Sequence, residues 1–66
     1  MQLINMYSNG DRTARIFVDN ISGYVVEYLI NDKRINKTYH NEVSLAEAVA
    51  DDFIAEAGNT PTLLNE

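Results

Sequence analysis

Catalytic chemistry needs a nucleophile beside a base, a working pair of carboxylates, or a cluster of metal ligands. This chain has one histidine, His40, and no cysteine among its 66 residues. Zinc takes three or four ligands at short spacings, and His40 has no H-x-x-x-H or C-x-x-C partner. It reads as a surface residue at a strand end or loop. Asp51-Asp52 has the look of a metal pair, but successive helical residues point about 100° apart and do not converge on one ion. The calcium-loop pattern, G-x-G-x-x-G and the G-K-[ST] phosphate loop are all absent. No catalytic residue, cofactor or metal ligand is expected, and the chain reads as non-enzymatic.

The remaining polar chemistry is charge, and it is unevenly placed. Arg12, Arg15, Lys33, Arg34 and Lys37 all lie before residue 44, balanced there by Asp11, Asp19, Glu27, Asp32 and Glu42. Glu47, Asp51, Asp52, Glu56 and Glu66 follow without a base, so the net charge of −5 belongs to the C-terminal third. On a helix, Glu47/Asp51 and Asp52/Glu56 are i,i+4 like-charge pairs, each unfavourable by a few tenths of a kcal/mol. Acids toward a helix C-terminus also oppose the macrodipole. Two readings follow: basic side chains on the sheet neutralise Glu47, Asp51, Asp52 and Glu56, or these acids face a basic protein partner. A nucleic-acid reading would instead use the five bases, with Tyr24, Tyr28 and Tyr39 stacking on bases. Phosphate neutralisation drives such binding, and residues 1–43 have no positive surplus. The tyrosines also alternate with apolar residues at strand spacing, as core residues do.

These groups are positioned by an α+β pattern. Ser44–Gly58 is the one strongly helical stretch. Ser44 and Glu47 form the S-x-x-E capping box, Gly58 can close the helix in the left-handed region, and Pro61 cannot continue it. Leu45, Ala46, Val49, Ala50, Phe53, Ile54 and Ala57 make its apolar face. Upstream, strands are expected at 3–7, 12–19, 24–30 and 35–39, with turns at Asn9-Gly10, Asn20–Gly23 and Asn31–Arg34. Tyr24, Val26, Tyr28 and Ile30 should face the helix, leaving Val25, Glu27 and Leu29 on the reverse. Short connections imply a four-stranded antiparallel meander with one C-terminal helix packed on one face. One domain over residues 1–58 and an extended tail over 59–66, with Leu63 and Leu64 its apolar anchor, complete the expected organisation.

Sixty-six residues without disulfide or metal build a thin core, and oligomerisation is a common remedy. The reverse face of the sheet is expected to carry Leu3, Tyr7, Phe17, Val25 and Leu29, too apolar for a solvated face. A homodimer through that face is therefore expected, with Arg15 and Asp19 pairing across its axis; the competing expectation is that the Leu63-Leu64 tail folds under the sheet and covers this face within one chain. No segment approaches the roughly 18 apolar residues of a membrane span. The start, M-Q-L-I-N-M-Y, lacks the basic and apolar regions of a signal peptide, so the cytoplasm is the expected compartment.

The G-Y-V-V-E-Y strand at residues 23–28 and the A-E-A-V-A-D-D-F-I helix at 46–54 carry one resemblance. Over about residues 14–57 the chain resembles a group of short uncharacterised proteins encoded by marine bacteriophages, particularly those of cyanobacteria. The resemblance implies action in the host cytoplasm through protein contacts and assigns no functional residue. Taken together, the expected function is that of a small protein-interaction module of unknown target, which the resemblance pictures as a phage accessory protein modulating a host factor. The alternative is a nucleic-acid-associated module using the basic residues of the sheet.

Overall fold

Turn chemistry sets the architecture. The computed structural model describes residues 1–56. Strands β1 (Gln2–Asn9), β2 (Arg12–Asp19), β3 (Gly23–Ile30) and β4 (Lys33–His40) pair antiparallel in the order β1-β2-β3-β4, and helix α1 (Val43–Ala55) packs across one face. Gly10-Asp11 joins β1 to β2, with Gly10 at φ 63°. Asn9, expected in that turn, pairs with Arg12 instead. Asn31 and Asp32 join β3 to β4 at φ 53° and 69°, the signature of a two-residue type I′ turn. Because both residues tolerate positive φ, Lys33 and Arg34 are released into β4, which starts two residues before the expected Ile35. The connection at Asn20-Ile21-Ser22 is longer. Asp19 Oδ1 accepts from the Ile21 N–H at 2.9 Å, and Gly23 follows at φ 87°.

Strand alternation then decides what the helix covers. Ala14, Ile16, Val26 and Tyr28 project toward α1 and are buried with Ala46 and Ala50, while Tyr7, Tyr24, Val49, Phe53 and Ile54 close the margins of this core. The expected helix-facing set of β3 holds for Tyr24, Val26 and Tyr28. Leu45 departs from the expected helix face and is 48% exposed, because the Ala46/Ala50 line is what meets the sheet. Ala57, Gly58, Pro61, Leu63 and Leu64, together with the tail assignment, lie outside the described residues.

The helix begins differently from the expected capping box. Glu42 is the N-cap, with extended φ −138° and ψ 140° and no side-chain cap hydrogen bond. The first helical bond runs from the Ala46 N–H to the Glu42 carbonyl at 3.2 Å. β4 persists to His40, so only Asn41 and Glu42 remain to turn the chain, and Ser44 falls inside the first turn. Ser44→Ala should therefore change stability by less than about 0.5 kcal/mol. Glu42→Ser, which installs a capping hydroxyl, should add about 1 kcal/mol. Urea unfolding of the two variants checks both; a clear loss in Ser44→Ala would restore Ser44 as the cap.

At its other end the helix is tied down by the sheet. Asn9 Nδ2 donates to the Ile54 carbonyl at 2.8 Å, and Arg12 Nη1 donates to the Phe53 carbonyl at 3.2 Å and to Glu56 Oε1 at 3.1 Å. The last turn has no basic residue of its own. Arg12 supplies the cation that the negative end of the dipole favours.

Candidate functional site

A bulge in β1 decides which side chains reach the side of the sheet away from α1. Leu3 pairs with Phe17 and Asn5 with Ile16, leaving Ile4 as the extra residue. One inserted residue reverses the facing of everything before it relative to everything after it. Tyr7 therefore pairs with Ala14 and joins the helix-side core, which corrects its expected place on the reverse face. Met6 takes that place, opposite Arg15. A second bulge, at Ile35, lets Tyr28 pair with Asn36 and Leu29 with Arg34.

The registers give the reverse face as three rows across the strands. Leu3, Phe17, Val25 and Tyr39 form the first; Met6, Arg15, Glu27 and Lys37 the second; Ser8, Thr13, Leu29 and Arg34 the third. Among the described residues no helix lies over these rows. Val25 and Leu29 are nevertheless only 3% and 4% exposed, whereas Met6 at 58% and Tyr39 at 56% stand open to solvent. The molecule thus has a second apolar layer whose centre is covered and whose margins are not.

Charge runs through the middle of this layer. The Glu27 carboxylate is mostly buried between Arg15 Nη1 at 3.8 Å and Arg34 Nη1 at 3.3 Å. The Arg15 contact is too long for a hydrogen bond, and Arg15 Nε is buried without a hydrogen-bond partner. Lys37 Nζ sits 5.8 Å from the centroid of the Tyr39 ring, within cation–π range. Asp19, expected to meet the Arg15 of a second copy, lies opposite Gly23 within its own chain, and its carboxylate accepts from the Ile21 N–H.

The helix acids are arranged differently. Glu56 pairs with Arg12, as the neutralising reading expects. Asp51 and Asp52 are exposed, and Glu47 is half-buried. Glu47 and Asp51 lie near Tyr7, whose phenol is held above its ordinary value of 10.0, first by burial and then by these two carboxylates. The fold keeps Tyr7 protonated longer than the unfolded chain does, so the associated stability is present below the unfolded value and lost as pH rises through the folded one. Wild type should lose more stability than Tyr7→Phe as pH is raised beyond about 10. Superimposable urea midpoints across that range would contradict this.

His40 is half-buried rather than a free surface residue. Its Nε2 lies 2.9 Å from Thr38 Oγ1, which is 2.7 Å from the Tyr28 hydroxyl. This chain of polar groups joins β4 to the core tyrosine. A depression of about 340 Å³ lies beside Met1, Gln2, Val18, Asp19, Asn20 and Ile21; its carboxylate, Asp19, is already engaged. Among the described residues no group of three or more His, Cys, Asp or Glu side chains is placed to hold a metal ion, and no helix is long and apolar enough to cross a membrane.

Of the bases considered for nucleic acid, Arg12 is committed to the helix end, while Arg15, Arg34 and Lys37 share the reverse face. Of the three tyrosines, Tyr24 and Tyr28 belong to the core side and Tyr39 to the open side. Comparison with protein-family models, curated proteins and solved structures finds no match for the chain. Sequence reasoning missed Met6 as part of this face. Its signal was the uncharged run Q-L-I-N-M-Y-S, in which strict alternation and a one-residue bulge place opposite residues on the two sides.

Proposed function

We propose that this protein is a non-enzymatic protein-interaction module whose contact surface is the helix-free face of the sheet. The observation that carries the reading is the second apolar layer, with Leu3, Met6 and Tyr39 exposed around Phe17, Val25 and Leu29. Contiguous exposed apolar surface rimmed by polar groups marks interaction sites. Fixed charges inside such a patch select partners and orientation more than they add affinity. The phage resemblance adds a setting, an accessory protein that modulates a host factor in the cytoplasm. The acids Asp51 and Asp52 then remain outward on the opposite side.

A second reading is favoured by one observation: Arg15, Arg34 and Lys37 share their face with Phe17 and Tyr39. Bases stacked on aromatics above a basic sheet are a route to single-stranded nucleic acid. The net charge of −5 opposes it.

Photo-cross-linking separates the two. With benzoylphenylalanine replacing Phe17, irradiation in lysate of the source cells should give a protein adduct. The same group replacing Asp52 should give far less. Adducts from position 52 alone would contradict the sheet-face reading. Salt-sensitive retention on single-stranded DNA, abolished by Tyr39→Ala, would favour the alternative.

A further inference from the structure

We propose that the partner at this face is a second copy of the chain, related by a two-fold axis that runs parallel to the strands between β2 and β3. The inference rests on the sheet-face reading and adds the occupant and its orientation. Two copies can meet face to face about an in-plane two-fold axis in two limiting ways. With the axis across the strands, along the middle row, each strand lies over its own copy. Arg15 then meets the partner's Arg15, Glu27 the partner's Glu27, and Lys37 the partner's Lys37. With the axis along the strands, β2 lies over the partner's β3 and β1 over its β4. Arg15 then meets the partner's Glu27, and Glu27 the partner's Arg15.

Charge order decides between them. The middle row reads neutral, positive, negative, positive from Met6 to Lys37. Reversed upon itself, it matches opposite charges at the two central positions and sets the Lys37 stem over the partner's Met6. The first row matches as well, since the exposed Leu3 falls on the partner's Tyr39, which is also exposed. Two-fold contacts are self-complementary by definition, and this face is so for one axis only. Arg15 and Glu27 lie nearest that axis, so the roughly 30° rotation between packed sheets displaces them least. Their contact within one chain, 3.8 Å and not a hydrogen bond, leaves the guanidinium able to serve a second carboxylate. Four strands of eight residues present on the order of 500 Å² of face per copy, about 1,000 Å² in total, near the lower limit for a specific interface. The dimer would be a four-layer assembly with its two acidic helices outermost.

The full chain should show a dimer mass by light scattering at tens of micromolar. Arg15→Glu and Glu27→Arg should each weaken dimerisation about tenfold or more, and an equimolar mixture of the two should restore it. The double variant Arg15→Glu/Glu27→Arg should dimerise with itself and exclude wild type, as native mass spectrometry with one isotope-labelled chain will show. Positions 6 and 37 provide an arm that leaves the ion pairs intact. Met6→Cys and Lys37→Cys, mixed, should be joined by a short bismaleimide across about 10 Å, whereas Met6→Cys alone faces about 18 Å and should not. Cross-linking of Met6→Cys to itself, or free exchange between wild type and the double variant, would overturn the axis. A wild-type monomer mass would overturn the dimer. If position 17 still cross-linked to another protein in that case, the sheet-face reading would stand without it; retention on single-stranded DNA would give the face to nucleic acid.

Discussion

Phe53→Ala should cost about 3–4 kcal/mol, enough to leave much of the protein unfolded, since a chain this size holds only about 3–10 kcal/mol. The Phe53 ring is where the helix is joined to the sheet. It meets Tyr28 edge-on, with centroids 5.0 Å apart and planes at 62°. The Arg12 guanidinium carbon lies 4.8 Å from its centroid. Truncation leaves a cavity beside Tyr28 and removes the surface on which Arg12 rests while it bonds the Phe53 carbonyl and Glu56. Aromatic contact and cation–π attraction each add to area burial alone. Phe53→Leu, which retains much of the volume but no ring, should fall between wild type and the alanine variant in thermal melts. An alanine variant that melts as wild type does would mean that α1 is not seated on this ring.

Gly23→Ala should cost about 2–3 kcal/mol, combining a left-handed backbone with a steric clash. Gly23 opens β3 at φ 87°. A Cβ built there would lie 2.8 Å from the His40 carbonyl oxygen and 3.6 Å from the Asn41 Cα. The obstacle is backbone, so no rotamer relieves it. Either the β3–β4 ladder opens at the Tyr24–His40 pair or the entry to the helix shifts. Amide exchange should accordingly rise near His40–Val43 in the variant before it rises at Ile16 or Val26. A melt unchanged from wild type would show that the chain can leave φ 87° without loss.

The parts of this fold legible in the sequence are those decided by local periodicity. Y-V-V-E-Y-L-I places Val26 and Tyr28 on one side and Val25 and Leu29 on the other, and the ladder preserves that alternation. The helix is similarly written in A-x-x-x-A, with Ala46 and Ala50 buried. What escaped local reading depends on pairing. Whether a strand contains a bulge is set by its partner's register, so Tyr7 and Met6 exchanged sides without any change in their own neighbourhood. Ser44 failed as a cap for the same kind of reason: β4 ran on to His40 and left the chain only two residues in which to turn. The pairing of Glu27 with Arg15 and Arg34 also required knowing which strands lie side by side.

The proposal that two copies meet through the helix-free face of the sheet is tested most directly by nuclear magnetic resonance on dilution. Spectra of the labelled full chain would be followed from high to low concentration. Changes should concentrate at Met6, Phe17, Val25, Leu29 and Tyr39, while Ala46, Ala50 and Ile16 stay fixed beneath the helix. Dilution shifts centred on α1 would contradict the account, and so would spectra independent of concentration at Met6 and Phe17.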